Sequence, residues 1–225
     1  MLIKSYLPLY FIAGTQDCRI HAGNPAKNLL CILRQALESG ITCFQFRDKG
    51  AFSLENQPEK QHALALACRD LCRTYNVPFI VNDNVKLAFE LEADGIHVGQ
   101  SDTPVTEIRQ KAKQPFIIGL SVNTLEQAKF SNMDPAIDYF GIGPVFPTQS
   151  KTDPKPVVGM EFIHTLRKHG ITKPLVAIGG IKPENVQPLR DSGADGVAVI
   201  SAISHAENVP QAVNFLLKGA NHAKK

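Results

Sequence analysis

Short apolar, β-branched runs alternate with longer amphipathic segments along most of the chain. The runs at Leu9–Gly14, Cys43–Lys49, Pro78–Asp83, Gly95–Gln100, Phe116–Val122, Tyr139–Phe146, Leu175–Gly180 and Gly196–Ala202 predict eight strands. The segments between them carry helical spacing. In Ala26–Gly40, the residues Leu29, Leu33, Ala36 and Leu37 share one face and Gly40 marks the stop. In Glu59–Asn76 the stripe is Leu64, Cys68, Leu71, Cys72 and Tyr75, and shorter helices are predicted at Val85–Ala93, Pro104–Lys113, Thr124–Asn132, Met160–His169, Pro183–Ser192 and Pro210–Leu217. Strands that are apolar at nearly every position expect cover on both faces, as in a parallel sheet wrapped by helices. Eight strand–helix units predict an α/β fold, a single-domain (β/α)8 barrel. An open doubly wound sheet is the second choice, disfavoured because no G-x-G-x-x-G follows the first strand.

The length of 225 residues fits one such barrel over 1–225, with a short N-terminal lead-in and a frayed tail at Asn221–Lys225. The net charge of +3 is too small to point to a nucleic-acid or membrane-surface partner. No apolar run nears the roughly 18 residues of a membrane span. The five cysteines are odd in number, hold no C-x-x-C pair and read as reduced packing residues. Together these features predict the cytoplasm. They set no oligomeric state, and a homo-oligomer is compatible with them.

In barrels of this kind the chemistry sits at the C-terminal ends of the strands. Strand 2 runs Cys43-Phe44-Gln45-Phe46-Arg47-Asp48-Lys49. Alternation puts Gln45, Arg47 and Lys49 on one face and Phe44 and Phe46 on the other. Two cations in a barrel mouth call for an anion, and a guanidinium with an ammonium suits phosphate oxygens. An internal salt bridge to Asp48, Asp83 or Asp102 is the bland alternative. Strands 3 and 4 end in Asn82-Asp83 and Gln100-Ser101-Asp102, two carboxylates on neighbouring tips that suit Mg2+ beside phosphate. They are equally placed to cap the helices at Val85 and Pro104. Strand 5 ends in Ser121; the polar loop after strand 6 carries Thr148, Gln149, Ser150 and Lys151 and could cover a substrate. Gly179-Gly180 after strand 7 and Ile200-Ser201 before a helix after strand 8 form the backbone-amide phosphate site common in barrels. Two anion sites in one mouth predict two phosphorylated substrates, or one with two phosphate ends. His97, within strand 4, is expected to be a hydrogen-bonded core histidine.

These motifs in this order resemble the thiamine-phosphate synthase family from Leu9 to about Ala206. The stretches that carry the resemblance are Gln45–Lys49, Val81-Asn82-Asp83, Ala93–Gln100, Gly119-Leu120-Ser121, Gly141–Lys151, Ala177–Ile181 and Ala194–Ser204. The resemblance implies a transferase that condenses an aminopyrimidine diphosphate with a thiazole phosphate. It implies that Gln45, Phe46, Arg47, Asp48, Lys49, Asn82, Ser121 and Lys151 hold the pyrimidine diphosphate, with Arg47, Lys49, Ser121 and Lys151 in catalytic roles. Thr148, Gln149, Ser150, Gly180, Ile200 and Ser201 would hold the thiazole phosphate, and Asp83 and Asp102 would hold Mg2+. The first strand, Tyr10 to Asp17, departs from the family's usual tyrosine-x-x-threonine-aspartate opening. A thiazole tautomerase on the same fold and a non-catalytic phosphate-ligand sensor are the rival readings; the first needs neither a diphosphate clamp nor paired carboxylates, and the second would bind ligand without forming a Mg2+-dependent product.

Overall fold

The computed structural model describes residues 3–113, 115–150 and 156–219. Eight parallel strands close into a barrel in chain order: β1 Leu9–Ala13, β2 Cys43–Phe46, β3 Phe79–Asn82, β4 Gly95–Val98, β5 Ile117–Val122, β6 Tyr139–Ile142, β7 Leu175–Ile178 and β8 Gly196–Val199. The outer ring is α1 Pro25–Glu38, α2 Pro58–Thr74, α3 Val85–Glu90, α4 Val105–Lys111, α5 Leu125–Ser131, α6 Glu161–Lys168 and α7 Pro183–Asp191. A short α8, Ser201–Ser204, precedes the closing α9, Val209–Lys218. The predicted tail falls outside the described residues.

The alternation of strand side chains splits the apolar residues into two layers. Leu9, Phe11, Phe44, Phe46, Phe79 and Val81 pack outward with the helix stripes in the larger cluster. Tyr10, Ile12, Cys43, Ile80, Tyr139, Val176 and Ala198 fill the barrel interior. The lead-in is folded too: a 3-10 turn at Ile3–Tyr6 sets Ile3 and Tyr6 against that interior cluster.

The strands are shorter than the apolar runs. β6 stops at Ile142, four residues early, since Pro144 has no N–H for the ladder. β2 ends at Phe46, beyond which the Asp48 side chain bonds to loops instead. The helix caps also correct an expectation. Asn84, not Asp83, caps α3 by accepting from Leu87 N, and α4 has no side-chain cap at all, which leaves Asp102 free of that task. Thr124 and Gln127 close a reciprocal box at α5.

A repeat lies at the base of the barrel. The residue just before each even-numbered strand accepts, through its side chain, a backbone N–H near the start of the strand before it. Thr42 takes Leu9 N, Asp94 takes Phe79 N, Asp138 takes Ile118 N and Asp195 takes Leu175 N, all at 2.7–3.0 Å. Arginines from the helices close the last two. Arg109 Nη2 is 2.6 Å from Asp138 and Arg167 Nη2 is 2.8 Å from Asp195, which Lys4 also meets at 2.9 Å.

Candidate active site

A pocket of about 290 Å³ opens at the C-terminal ends of the strands. Its walls follow from strand parity: Gln45 and Arg47 come from the inward face of β2 and its extension, Asn82 from β3, His97 from β4 and Ser121 from β5, with Asp83 entering from the turn just past β3. Ile12, Val176 and Ala198 form apolar floor.

One side of this mouth is charged. Lys49 Nζ lies 2.8 Å from Asp83 Oδ2, an exposed pair worth little to stability. The bonded Asp83 holds the ammonium above its ordinary pKa, and Asp102 adds to the effect from close by. A cation therefore already sits among these carboxylates. Asp83 takes a left-handed backbone, φ 57°, fixed by its N–H donating to His97 O at 2.9 Å. Asp102 is turned back to accept the Gly99 N–H at 2.7 Å. The Arg47 guanidinium is half-buried and has no hydrogen bond or ion pair among the described residues.

The opposite side offers backbone. Gly179 and Gly180 have φ of 103° and 62°, conformations that L side chains resist. A Cβ at Gly180 would also collide with the carbonyl of Pro147. Thr148, Ser150, Ile200 and Ser201 complete this wall, with the Thr148 hydroxyl accepting from Ser150 N at 3.2 Å.

Beneath both walls runs a chain of hydrogen bonds. Gln45 Nε2 donates to Tyr10 OH at 2.9 Å, Tyr10 OH meets Tyr139 OH at 2.9 Å, and Tyr139 OH meets His97 Nδ1 at 3.0 Å. His97 Nε2 then meets Ser121 Oγ at 2.9 Å. Burial first, and neighbouring titratable groups second, push both phenols well above their ordinary pKa, so both stay protonated.

A family model described as Thiamine monophosphate synthase matches residues 9–203. The chain belongs to that family. Its relatives include a Thiamine-phosphate synthase of Haemophilus influenzae (strain PittEE), 64% identical over 99% of both chains. Another, of Pasteurella multocida (strain Pm70), is 56% identical over 97% of this chain and 98% of its own. Among solved structures, a thiamine phosphate pyrophosphorylase from Pyrococcus furiosus superposes with a TM-score of 0.79 at 33% identity, over 96% of each chain.

Most of the residues expected for a thiamine-phosphate synthase come together in this pocket. Gln45, Arg47, Asn82, Asp83, Asp102, Ser121, Thr148, Ser150, Gly180, Ile200 and Ser201 all line it. Lys49 stands at its rim, bonded to Asp83. Three side chains do not face it. Phe46 is packed in the outer layer, and Gln149 is exposed on the loop. The Asp48 carboxylate, 6% exposed, is bound to Thr15 N at 2.8 Å, Thr15 Oγ1 at 2.5 Å, Leu54 N at 2.9 Å and Gln61 Nε2 at 3.0 Å. That carboxylate ties the loops after β1 and β2 together. Lys151 lies outside the described residues.

Sequence reasoning did not find Tyr10 and Tyr139, and it gave His97 a core role although the ring lines the pocket. A signal was present in the glycines. A Cβ at Gly119 would collide with both the Tyr139 and His97 rings, and one at Gly141 would sit 2.9 Å from His97 Cε1. Gly119, in register with Tyr139, and Gly141, in register with Ser121, leave the space those rings fill.

Proposed function

We propose that this chain is a thiamine-phosphate synthase: it joins 4-amino-2-methyl-5-(diphosphooxymethyl)pyrimidine to 4-methyl-5-(2-phosphooxyethyl)thiazole, or its carboxylated form, with release of pyrophosphate. The observation that carries this reading is the charged wall of the pocket, where the Arg47 guanidinium, without a hydrogen bond or ion pair among the described residues, stands beside the Lys49–Asp83–Asp102 cluster. An anion with several oxygens and a divalent cation satisfy both sets of groups at once.

Asp83 and Asp102 would hold Mg2+. Two carboxylates suit it, since Mg2+ takes one or two carboxylates plus substrate phosphate oxygens; the cation already drawn to this spot is the Lys49 ammonium. Bound there, Mg2+ would supply positive charge beside the diphosphate. Arg47 and Lys49, joined by Lys151, stabilise the pyrophosphate as the C–O bond to the pyrimidine methylene breaks. The electron-rich aminopyrimidine supports the carbocation-like methylene, and the thiazole nitrogen gives its lone pair to form the C–N bond. Gln45, Asn82 and Ser121 orient the pyrimidine, with the backbone at Phe46 and Asp48 shaping that wall. Thr148, Gln149, Ser150, Gly180, Ile200 and Ser201 hold the thiazole phosphate. Ile12, Val176 and Ala198 keep the floor apolar, which disfavours capture of the methylene by water. Positioning and electrostatics supply most of the acceleration. The tautomerase and sensor readings leave the charged wall without a task.

No described helix is long and apolar enough to cross a membrane. We read residues 1–225 as one barrel domain working in the cytoplasm, as a monomer or homo-oligomer.

The test is to incubate the purified chain and Mg2+ with both substrates, and separately with thiazole phosphate alone. Thiamine phosphate and pyrophosphate in equal amounts, formed only when both substrates are present, is the expected result. An isomerised thiazole phosphate from the second mixture, without product from the first, would assign the pocket to a tautomerase. Binding without any reaction would assign it to a sensor.

A further inference from the structure

The chain of hydrogen bonds beneath the pocket has a direction, and the direction has a consequence for substrate choice. Each phenol carries one proton to give. Tyr10 OH accepts from Gln45 Nε2 at 2.9 Å, and its own proton goes on to Tyr139, 2.9 Å away. The Cys43 thiol also lies within hydrogen-bonding reach of Tyr10, but its sulfur is a weak acceptor beside a phenol oxygen, and the thiol, held protonated chiefly by burial, turns its own proton toward Pro78 O at 3.8 Å. Tyr139, having accepted, gives its proton to His97 Nδ1 at 3.0 Å. The imidazole proton then resides on Nε2 and is donated to Ser121 Oγ at 2.9 Å. With its oxygen so engaged, Ser121 retains its own O–H to give to whatever occupies the pocket it lines. At the far end Gln45, with its amide nitrogen on Tyr10, keeps its carbonyl oxygen as acceptor.

We propose that Tyr139 and His97 are positioning residues that lock this polarity, so that Ser121 acts as donor and Gln45 as acceptor toward the pyrimidine edge. The inference rests on the synthase reading of the pocket and deepens it. An aminopyrimidine edge offers an N–H donor beside a ring-nitrogen acceptor, which complements that pair. An oxo-pyrimidine of the same shape offers a carbonyl acceptor beside a ring N–H. It fits only if every member of the chain reverses, with Gln45 flipped and the histidine proton moved to Nδ1. The surroundings are built for the ring pair rather than left over from packing: both tyrosines are 1% exposed, and Gly119 and Gly141 clear the space that His97 and Tyr139 occupy.

Sites that hydrogen-bond a substrate reject the mismatched analogue strongly, by roughly 10⁴-fold where buried groups are left unpaired. The experiment has two arms on the intact protein. In the first, 15N NMR of histidine-labelled protein, with His97 assigned by its loss in His97→Gln, reads the tautomer directly. A pyridine-type Nδ1 and a pyrrole-type Nε2 are expected, and Tyr139→Phe should shift both toward a mixture. A proton on Nδ1 in the unsubstituted protein overturns the inference whatever the activity.

In the second arm, kcat/KM is compared for the 4-amino pyrimidine diphosphate and its 4-oxo analogue. The amino form should win by roughly 10³-fold or more, and Tyr139→Phe, which removes an oxygen that does not line the pocket, should narrow that ratio at least about tenfold. A ratio unchanged in Tyr139→Phe, with the thermal melt intact, overturns the specificity role. If Tyr139→Phe does not fold, the His97 tautomer of the unsubstituted protein decides the inference alone: a proton on Nε2 supports it and a proton on Nδ1 overturns it. Failure of the unsubstituted protein to form any thiamine phosphate would count against the synthase reading; the NMR arm decides the relay independently of it.

Discussion

The two ends of the barrel are built from the same strands under opposite rules. At the base, side chains repeat and are satisfied: Thr42, Asp94, Asp138 and Asp195 each take a strand N–H, and Arg109 and Arg167 close the ring onto carboxylates and carbonyls. At the mouth nothing repeats. Arg47 makes no hydrogen bond or ion pair among the described residues, Lys49 is tied to a half-buried carboxylate, and Asp83 is held in a left-handed backbone. Groups that stabilise a fold are paired in the free protein, whereas groups that stabilise a transition state must keep bonds in reserve. The difference teaches where to look for chemistry: among unspent polar groups rather than among polar groups in general.

Removing a mouth cation should leave the fold and abolish much of the rate. Arg47→Ala is expected to lower kcat/KM for thiamine phosphate formation by roughly 10²–10³-fold, about 2.7–4 kcal/mol of transition-state stabilisation, with an unchanged urea midpoint. A large fall in the midpoint would mean that Arg47 belongs with the structural set.

The reverse is expected at the base. Arg167→Ala removes donors to Gly193 O, Ile171 O, Lys173 O and Asp195. Unfolding free energy should drop by about 2–4 kcal/mol, while kcat/KM per folded molecule stays near the unsubstituted value. A loss of activity without a loss of stability would break the comparison.

Asp17 sharpens it, as a buried carboxylate in the first loop at the mouth. Burial raises its pKa to about 6, against the bonds from Gly14 N and Gln16 Nε2 and the nearby Arg47, all of which lower it. The folded state therefore favours protonated Asp17. That contribution is full below about pH 3.8 and is lost as pH rises through about 6. Asp17→Asn should gain about 2–3 kcal/mol on the unsubstituted protein between pH 4 and pH 8, measured by urea unfolding at both. A difference that does not change with pH would refute this. The smallest effect is expected from Lys111→Ala, whose exposed pair with Glu107 at 2.6 Å should be worth at most about 0.5 kcal/mol in the same assay.

Much of this was legible in the sequence for one reason: strand parity is local. The order Phe44-Gln45-Phe46-Arg47 is enough to send the rings outward and the polar groups into the mouth. Gly179-Gly180 announces a backbone wall in the same local way. What stayed hidden depends on register between distant strands. Tyr10 and Tyr139 meet across 129 residues, and nothing near either one specifies the other. Asp48 was hidden for a related reason. It sits among the right neighbours for an active-site acid, yet Thr15 and Leu54, both beyond strand ends, draw its carboxylate into a loop tie.

The most direct test of a working mouth on a self-sufficient base is the Mg2+ dependence of thiamine phosphate formation, with and without Asp83→Asn, alongside thermal melts of the same samples. Asparagine keeps the left-handed backbone at this position, φ 57°, and removes only the charge. The account predicts product that requires Mg2+, falls steeply in Asp83→Asn and leaves the melt where it was. Product formed by Asp83→Asn at the unsubstituted rate, or a melt that falls together with the activity, would contradict it.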